Sequence, residues 1–372
     1  MAQARRVVIV GAGVGGSALA ALLRSRGLAA TLLDKNSKPP AHSYSITLER
    51  SVITPLLAEL QTDESSFVRK VTQPLLFPRA SSQQSTPASL PVSRASFESY
   101  LREDLDVQWN SAVQSIDLSA SPISIKLEDG RCISADILIA ADGVHSVVRK
   151  SLLPDELLEV MPYAVINGRA NLSFREGQDI AMRETECHHE PSVNSTLIGS
   201  TRLAYSIYKY DQDRATVDFT FSRPARVDDE LYKPNRPNSG ARDIPDELFA
   251  EAGRLQPLSG AFADIFDPSA MRQARLLHWL MRKSLLQRSD LDRLATRGTF
   301  FIGDAAHAMP ILGGNGANQA IKDALQLSSL LHDDSAPVAG KYYDARYLDW
   351  SAAVSACDQA LAAMHSSSTS VL

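Results

Sequence analysis

The chain has 372 residues, more than a usual single domain, so two packed units are the starting expectation. Hydrophobic residues make up 44% and charged residues 22%, as in ordinary soluble proteins, and a net charge of −5 with no basic stripe argues against a nucleic-acid partner. No apolar run reaches the ~18–20 residues that a membrane span requires.

Arg5-Arg6-Val7-Val8-Ile9-Val10 is a β-branched run of the kind buried on both faces of a parallel sheet. The sequence enters this strand at once, leaving no room for a removable leader, so a cytoplasmic protein is expected. The strand ends in Gly11-Ala12-Gly13-Val14-Gly15-Gly16, after which Leu19, Ala20, Leu22 and Leu23 carry a helical apolar face. Strand, glycine turn and helix together predict a dinucleotide cradle. Gly11 allows the turn, Gly13 lets backbone amides approach a pyrophosphate, and Gly16 lets the helix pack closely. The phosphates are expected at the positive end of the helix. A second strand, Ala29 to Leu33, ends in Asp34 and Lys35, and the Asp34 carboxylate is placed to accept both hydroxyls of an adenosine ribose. This motif alone does not decide between FAD and NAD.

Tyr44 to Leu48 reads as a short strand, and Arg79 to Leu90 as a mobile surface loop. Arg94 precedes a helical stretch with Phe97, Tyr100, Leu101 and Leu105 on one face. Val113 to Leu118 and Ile123 to Leu127 are expected to form an antiparallel pair. The strand Asp136 to Ala140 delivers a second signature, Asp142-Gly143-Val144-His145-Ser146-Val147-Val148-Arg149. From about Met161 to Arg282 the pattern changes to alternating stretches such as Tyr205 to Tyr208 and Ala215 to Phe221, which predict an inserted antiparallel sheet. A polar connection, Pro224 to Pro245, interrupts it. A buried strand, Thr299 to Ile302, then carries a third signature, Gly303-Asp304-Ala305-Ala306-His307. Pro310, Gly313, Gly314, Gly316, Ala317 and Asn318 lead from it into a helix expected to start near Asn318. The tail Ser366 to Ser370 is expected to fray. Cys132, Cys187 and Cys357 are odd in number and lack metal-ligand spacing, and nothing completes a site around His188 and His189. Reduced thiols and no metal are expected.

The three signatures in this order resemble those of the single-component FAD-dependent monooxygenases, the group of para-hydroxybenzoate hydroxylase, the tetracycline-inactivating monooxygenases and the fungal monooxygenases of secondary metabolism. The likeness is strongest over residues 5–35, 92–150 and 299–330 and weak over 161–282. It implies an α/β fold: an FAD-binding Rossmann-like domain with a parallel sheet (1–70, 90–160 and 283–372), C-terminal helices, and an inserted antiparallel substrate-binding domain (71–89 and 161–282), with substrate at their junction. By the same resemblance FAD is held by Gly11, Gly13, Gly16, Asp34, Lys35, Arg94, Asp142, Asp304, Gly314, Gly316, Ala317 and Asn318. Asp304 would accept the ribityl hydroxyls, and Arg94 would contact the FAD linker. Asn315 stands where many relatives have Gln.

The resemblance further implies that NADH or NADPH meets the flavin transiently. O₂ then reacts at the flavin C4a, and one oxygen passes to an electron-rich aromatic or polycyclic small molecule. Arg169 is the expected substrate-anchoring cation and Tyr208 its hydrogen-bonding partner, with Tyr205, Arg202 and Arg183 as substitutes. Hydroxylation, epoxidation and Baeyer–Villiger insertion stay open, as do monomer and homodimer. A flavin reductase or dehydrogenase on the same fold is the alternative, and a non-catalytic protein of the Rab escort or dissociation-inhibitor type is a further one. A halogenase is disfavoured because Trp109, Trp279 and Trp350 stand alone.

Overall fold

The computed structural model describes residues 5–40, 44–72, 88–173, 193–211, 214–313, 315–333 and 338–366. Its strands are β1 (Val7–Val10), β2 (Ala30–Leu33), β3 (Ser45–Glu49), β4 (Ser89–Ser93), β5 (Val107–Gln108), β6 (Val113–Asp117), β7 (Ile123–Leu127), β8 (Cys132–Ala135), β9 (Ile137–Ala140), β10 (Glu159–Ser173), β11 (Asn194–Ile198), β12 (Thr201–Asp211), β13 (Arg214–Pro224), β14 (Arg275–Lys283) and β15 (Thr299–Phe301). The α-helices are α1 (Val14–Ser25), α2 (Arg50–Glu59), α3 (Glu64–Val71), α4 (Arg94–Leu101), α5 (Val147–Leu152), α6 (Glu247–Arg254), α7 (Ala261–Ile265), α8 (Pro268–Gln273), α9 (Arg288–Ala295), α10 (Gly316–His332) and α11 (Val338–Met364). None of the described helices is long and apolar enough to cross a membrane.

The chain divides into two compact units. One holds residues 5–72, Ala88–Glu159 and Arg282–Asp358; the other holds Val160–Met281 and residues 359–366. In the first unit a parallel sheet runs in the order β15-β9-β1-β2-β5. β1 and β9 are buried at every position, as their unbroken Val/Ile/Leu composition requires of central strands covered on both faces. This order brings the ends of β1, β9 and β15 side by side, so the three signatures that follow them become neighbours. Tyr342, Tyr343 and Trp350 of α11 close this core against Phe300.

Two boundaries differ from expectation. Ser89 and Leu90, expected in a loop, pair in β4 with Glu49 and Leu48 of β3, and Leu90 is buried. Residues 79–87 of that expected loop, and the tail after Ser366, lie outside the described residues. The helix expected near Asn318 starts at Gly316.

The second unit is built on an antiparallel sheet ordered β11-β12-β13-β10-β14. Its two faces alternate along the strands, apart from a register shift between Ile207 and Lys209. Ile166, Leu203, Tyr205, Val217, Phe219 and Phe221 point to one face and form a core with α6, α7 and α8. Gly168 belongs to that face, and a Cβ there would lie 2.0 Å from the Phe219 ring. Asn167, Arg169, Arg202, Asp218, Thr220 and Ser222 occupy the other, polar face.

Candidate active site

Three loops converge in the first unit, and their glycines show why. Gly11 has φ +107°, and a Cβ there would lie 2.4 Å from the Ala141 carbonyl oxygen, so the first and second signatures touch backbone to backbone. A Cβ on Gly16 would lie 1.9 Å from the Gly11 carbonyl oxygen, which makes this the close-packing glycine. Gly13, the N-cap of α1, differs: nothing lies within 4 Å of where its Cβ would be. The first turn of α1 has no side-chain cap and no acidic residue, which leaves its amides available to an anion.

Asp34 ends β2 as expected. Its Oδ2 accepts the Ala12 amide at 2.9 Å, and its Oδ1 accepts the backbone and side-chain amides of Asn36, each at 2.8 Å. The carboxylate thus braces the glycine turn, and its remaining lone pairs are what a ribose could use. Arg102 completes the brace by donating to the Ala12 carbonyl oxygen at 2.7 Å. The buried Glu98 lies between Arg94 at 2.9 Å and Arg102 at 3.6 Å, each one helical turn away. Arg94 also hydrogen-bonds the Tyr44 hydroxyl. A cavity of about 1090 Å³ opens along α4, lined by Arg102, Pro40, Lys70, Tyr100 and Trp109 among others.

Asp142 turns into α5, where its Oδ2 accepts the amides of Val147 at 2.7 Å and Val148 at 3.2 Å. Its Oδ1 is buried with no hydrogen-bond partner among the described residues, and burial pushes the carboxyl up from its ordinary value. Ser146 caps the same helix by accepting the Arg149 amide at 2.9 Å. The buried Arg149 guanidinium donates to the carbonyl oxygens of Asp304 at 3.2 Å and Ala305 at 3.1 Å, and to that of Val144. The spaced Ser and Arg of this signature therefore cap α5 and lash the second signature to the third. His145 is half-buried, and its pKa falls to about 4 through burial and through the charges of Arg282, Lys150, Lys35 and Arg149. Lys35 is thus brought into a cationic group around the second signature.

The third signature holds two contrasting carboxylates. Asp304 follows the left-handed Gly303 (φ +57°), and among the described residues its side chain has no hydrogen-bond partner. Burial raises its pKa, opposed by the charges of His307, Arg94 and Arg149. A Cβ on Gly316, the first residue of α10, would lie 3.4 Å from Asp304 Oδ1, so glycine keeps that carboxylate uncovered. The start of α10 likewise has no side-chain cap. Asp323, fully buried, is saturated instead. It accepts the Gly303 amide at 2.8 Å, His307 Nε2 at 2.6 Å, Arg346 Nε at 2.9 Å and Trp350 Nε1 at 2.8 Å. Burial works against its charge, but His307 and Arg346 prevail and hold its pKa below the usual carboxylate value. A carboxylate only accepts, so His307 carries its proton on Nε2 toward Asp323.

Asn318 is buried with its side chain committed to β3. It accepts the Glu49 amide at 2.9 Å and donates to the Thr47 carbonyl oxygen at 3.0 Å, leaving only backbone for a ligand. Ala317 packs on the core behind it. Gly314 lies outside the described residues. In the second unit, Arg169, the expected substrate-anchoring cation, is held by Asp218 in a bidentate pair at 2.5 and 2.7 Å across β10 and β13. Tyr208 falls where the β12–β13 register shifts, between Ile207 and Lys209. Arg183 lies outside the described residues. Sequence reasoning missed Glu98, Arg102, Asp323 and Arg346, whose partners lie across turns or far along the chain.

The donor set fits an extended flavin dinucleotide. Bare glycine amides suit a pyrophosphate, an uncovered carboxylate suits the hydroxyls of a polyol, and an uncapped helix start suits an electron-rich ring edge. Residues 265–340 match the FAD binding domain family, and residues 9–59 match the NAD(P)-binding Rossmann-like domain family. The FAD-dependent monooxygenase aptC of Emericella nidulans is 28% identical, with 91% of this chain and 90% of that protein aligned. The FAD-dependent monooxygenase vrtH of Penicillium aethiopicum is 27% identical, over 88% and 84% respectively. In fold, 2,6-dihydroxypyridine-3-hydroxylase of Arthrobacter nicotinovorans superposes with a TM-score of 0.73 at 15% identity, over 98% of this chain and 93% of its own. The donor set and the matched FAD binding domain family mark an FAD-binding protein. With its relatives, the chain is of the FAD-dependent monooxygenase type.

Proposed function

We propose that this enzyme takes electrons from NADH or NADPH and inserts one atom of O₂ into an electron-rich aromatic or polycyclic small molecule of secondary metabolism, acting in the cytoplasm as a monomer or homodimer. The observation that carries the reading is the uncovered Asp304 carboxylate, without a hydrogen-bond partner among the described residues, at the meeting point of the three signatures. FAD, when bound, supplies the redox and oxygen-activating chemistry. The chain's own residues bind and orient it. Asp304 accepts from polyol hydroxyls, the α1 amides at Gly13 meet the pyrophosphate, and the α10 start stabilises negative charge. Asp34 and Arg94 hold the adenosine and linker ends, and Asp142 offers its unused oxygen beside them.

The cations Lys35, Lys150, Arg149 and Arg282 around His145 support a transient site for the phosphates of NAD(P)H. A neutral His145 can donate or accept there without adding repulsion. Arg169 acts in this reading as half of a neutral pair with Asp218 that orients substrate, with Tyr208 as its proposed hydrogen-bonding partner.

The test is oxidation of NADH and NADPH by the FAD-loaded chain under ¹⁸O₂, with hydroxylated naphthalenes and anthrones as substrates. Incorporation of one ¹⁸O per product molecule is expected. NAD(P)H oxidation without label in any product would favour the reductase reading.

A further inference from the structure

We propose that Glu98 is a positioning residue for FAD binding: it ties Arg94, the arginine assigned to the FAD linker, through Arg102 to the glycine turn, and it keeps Arg94 off the Asp304 carboxylate. This role rests on the reading of Arg94 given above; the contacts themselves are features of α4.

Glu98 stands one helical turn after Arg94 and one before Arg102, so the three side chains share one face of α4. Exposed pairs at this spacing contribute little. Here the Glu98 side chain is 1% exposed, against 28% for Arg94 and 8% for Arg102, and a carboxylate so buried depends on its cations. Its Oε1 accepts Arg94 Nε at 2.9 Å, and its Oε2 lies 3.6 Å from Arg102 Nη1. The same Nη1 donates to the Ala12 carbonyl oxygen at 2.7 Å, inside the turn that Asp34 braces through the Ala12 amide. A continuous line of polar contacts therefore runs from the glycine turn through Arg102 and Glu98 to Arg94.

The far end of this line is fixed from two sides. Arg94 Nη1 donates to the Tyr44 hydroxyl, and the guanidinium lies 5.3 Å from the centre of the Tyr44 ring. With Nε on Glu98 and Nη1 on Tyr44, the plane of the guanidinium is set before any ligand arrives. The restraint matters because Arg94 has a competing attraction. Its charge acts, with those of His307 and Arg149, on the Asp304 carboxylate, which has no hydrogen-bond partner among the described residues. Released from Glu98, Arg94 is drawn toward Asp304 and covers the group that the cofactor needs.

The test is FAD titration of the apoproteins of Arg94→Gln, Glu98→Gln and the double variant beside the parent, followed by flavin fluorescence well below each thermal midpoint. Glu98→Gln keeps the shape and loses the charge, and it should weaken FAD at least about tenfold. Because Glu98 acts through Arg94, the double variant should bind FAD no more weakly than Glu98→Gln alone, whereas independent losses would multiply to about a hundredfold. Glu98→Asp keeps the charge and should retain more affinity than Glu98→Gln; a packing role gives the reverse order. Three results would overturn the proposal: Glu98→Gln within about twofold of the parent, multiplied losses in the double variant, or weaker binding by Glu98→Asp than by Glu98→Gln. Unchanged FAD affinity in Arg94→Gln would instead remove the assignment of Arg94 to the linker, and the role of Glu98 with it.

Discussion

Asp304 and Asp323 are both carboxylates in the same corner of the first unit, and they are treated in opposite ways. Asp323 takes a backbone amide, an imidazole, a guanidinium and an indole, and its pKa is held down. Asp304 takes no side-chain hydrogen bond among the described residues, and its pKa is pushed up. A folded chain that fully satisfies one buried carboxylate can satisfy another nearby. Leaving Asp304 bare beside a glycine marks it as a group kept for something outside the chain.

The largest effect expected from breaking this contrast is at Asp323. Asp323→Ala leaves His307, the Trp350 indole and Arg346 Nε without their shared acceptor inside the core, although Arg346 keeps Asp349 and Gln319. Loss of one partner of such a buried pair costs about 3–5 kcal/mol. Chemical denaturation of the apoprotein should show that loss, and a variant within 1 kcal/mol of the parent would mean the network contributes little. The lowered Asp323 pKa also fixes a sign. Its stabilisation is complete above the ordinary carboxylate pKa and is lost as pH falls through its lower folded value, so acid should weaken the parent more than Asp323→Asn.

The glycines sharpen the same contrast on a smaller scale. Gly16→Ala drives a methyl into the Gly11 carbonyl and should lower apoprotein stability by about 1–3 kcal/mol. Gly13→Ala meets nothing within 4 Å and should leave apoprotein stability unchanged while weakening FAD binding. Thermal melts with and without FAD separate the two, and equal destabilisation of the apoprotein by both would remove Gly13 from the cofactor face.

A gentler effect is expected from pH. Hydrogen bonds donated to Asp304 favour its ionised form, whereas in the apoprotein burial favours the protonated form. FAD affinity should therefore decline as pH falls through the raised Asp304 pKa, and Asp304→Asn should flatten that dependence. A parent affinity independent of pH across the acid range would contradict the assignment.

Much of this corner was legible in the sequence, because glycine turns after buried strands have few other uses. The spacing from Gly11 to Gly16, the strand before Asp142 and the strand before Asp304 each carried their own local signal. The bracing was not legible. Arg102 reaches Ala12, Arg149 reaches Asp304, and Asn318 reaches Thr47, all across long separations that no local pattern encodes. One sign was available at Asp323. It falls on the same helical stripe as Ala320, Ala324 and Leu327, and a carboxylate on an apolar stripe has to find partners. Arg169 shows the same limit. Its sequence context gave no sign of Asp218, which is its cross-strand neighbour, because the register that pairs them is a property of the sheet.

The most direct test of the central claim is FAD titration of the Asp304→Ala apoprotein beside the parent, followed by flavin fluorescence, with thermal stability measured on the same samples. Losing hydrogen bonds to a charged acceptor costs about 1.5–3 kcal/mol each, so FAD affinity should fall roughly ten- to hundredfold. Apoprotein stability should be unchanged or slightly higher, because a burial-strained carboxylate has been removed. An unchanged FAD affinity, or an apoprotein destabilised as strongly as Asp323→Ala, would show that Asp304 serves the fold and not the cofactor.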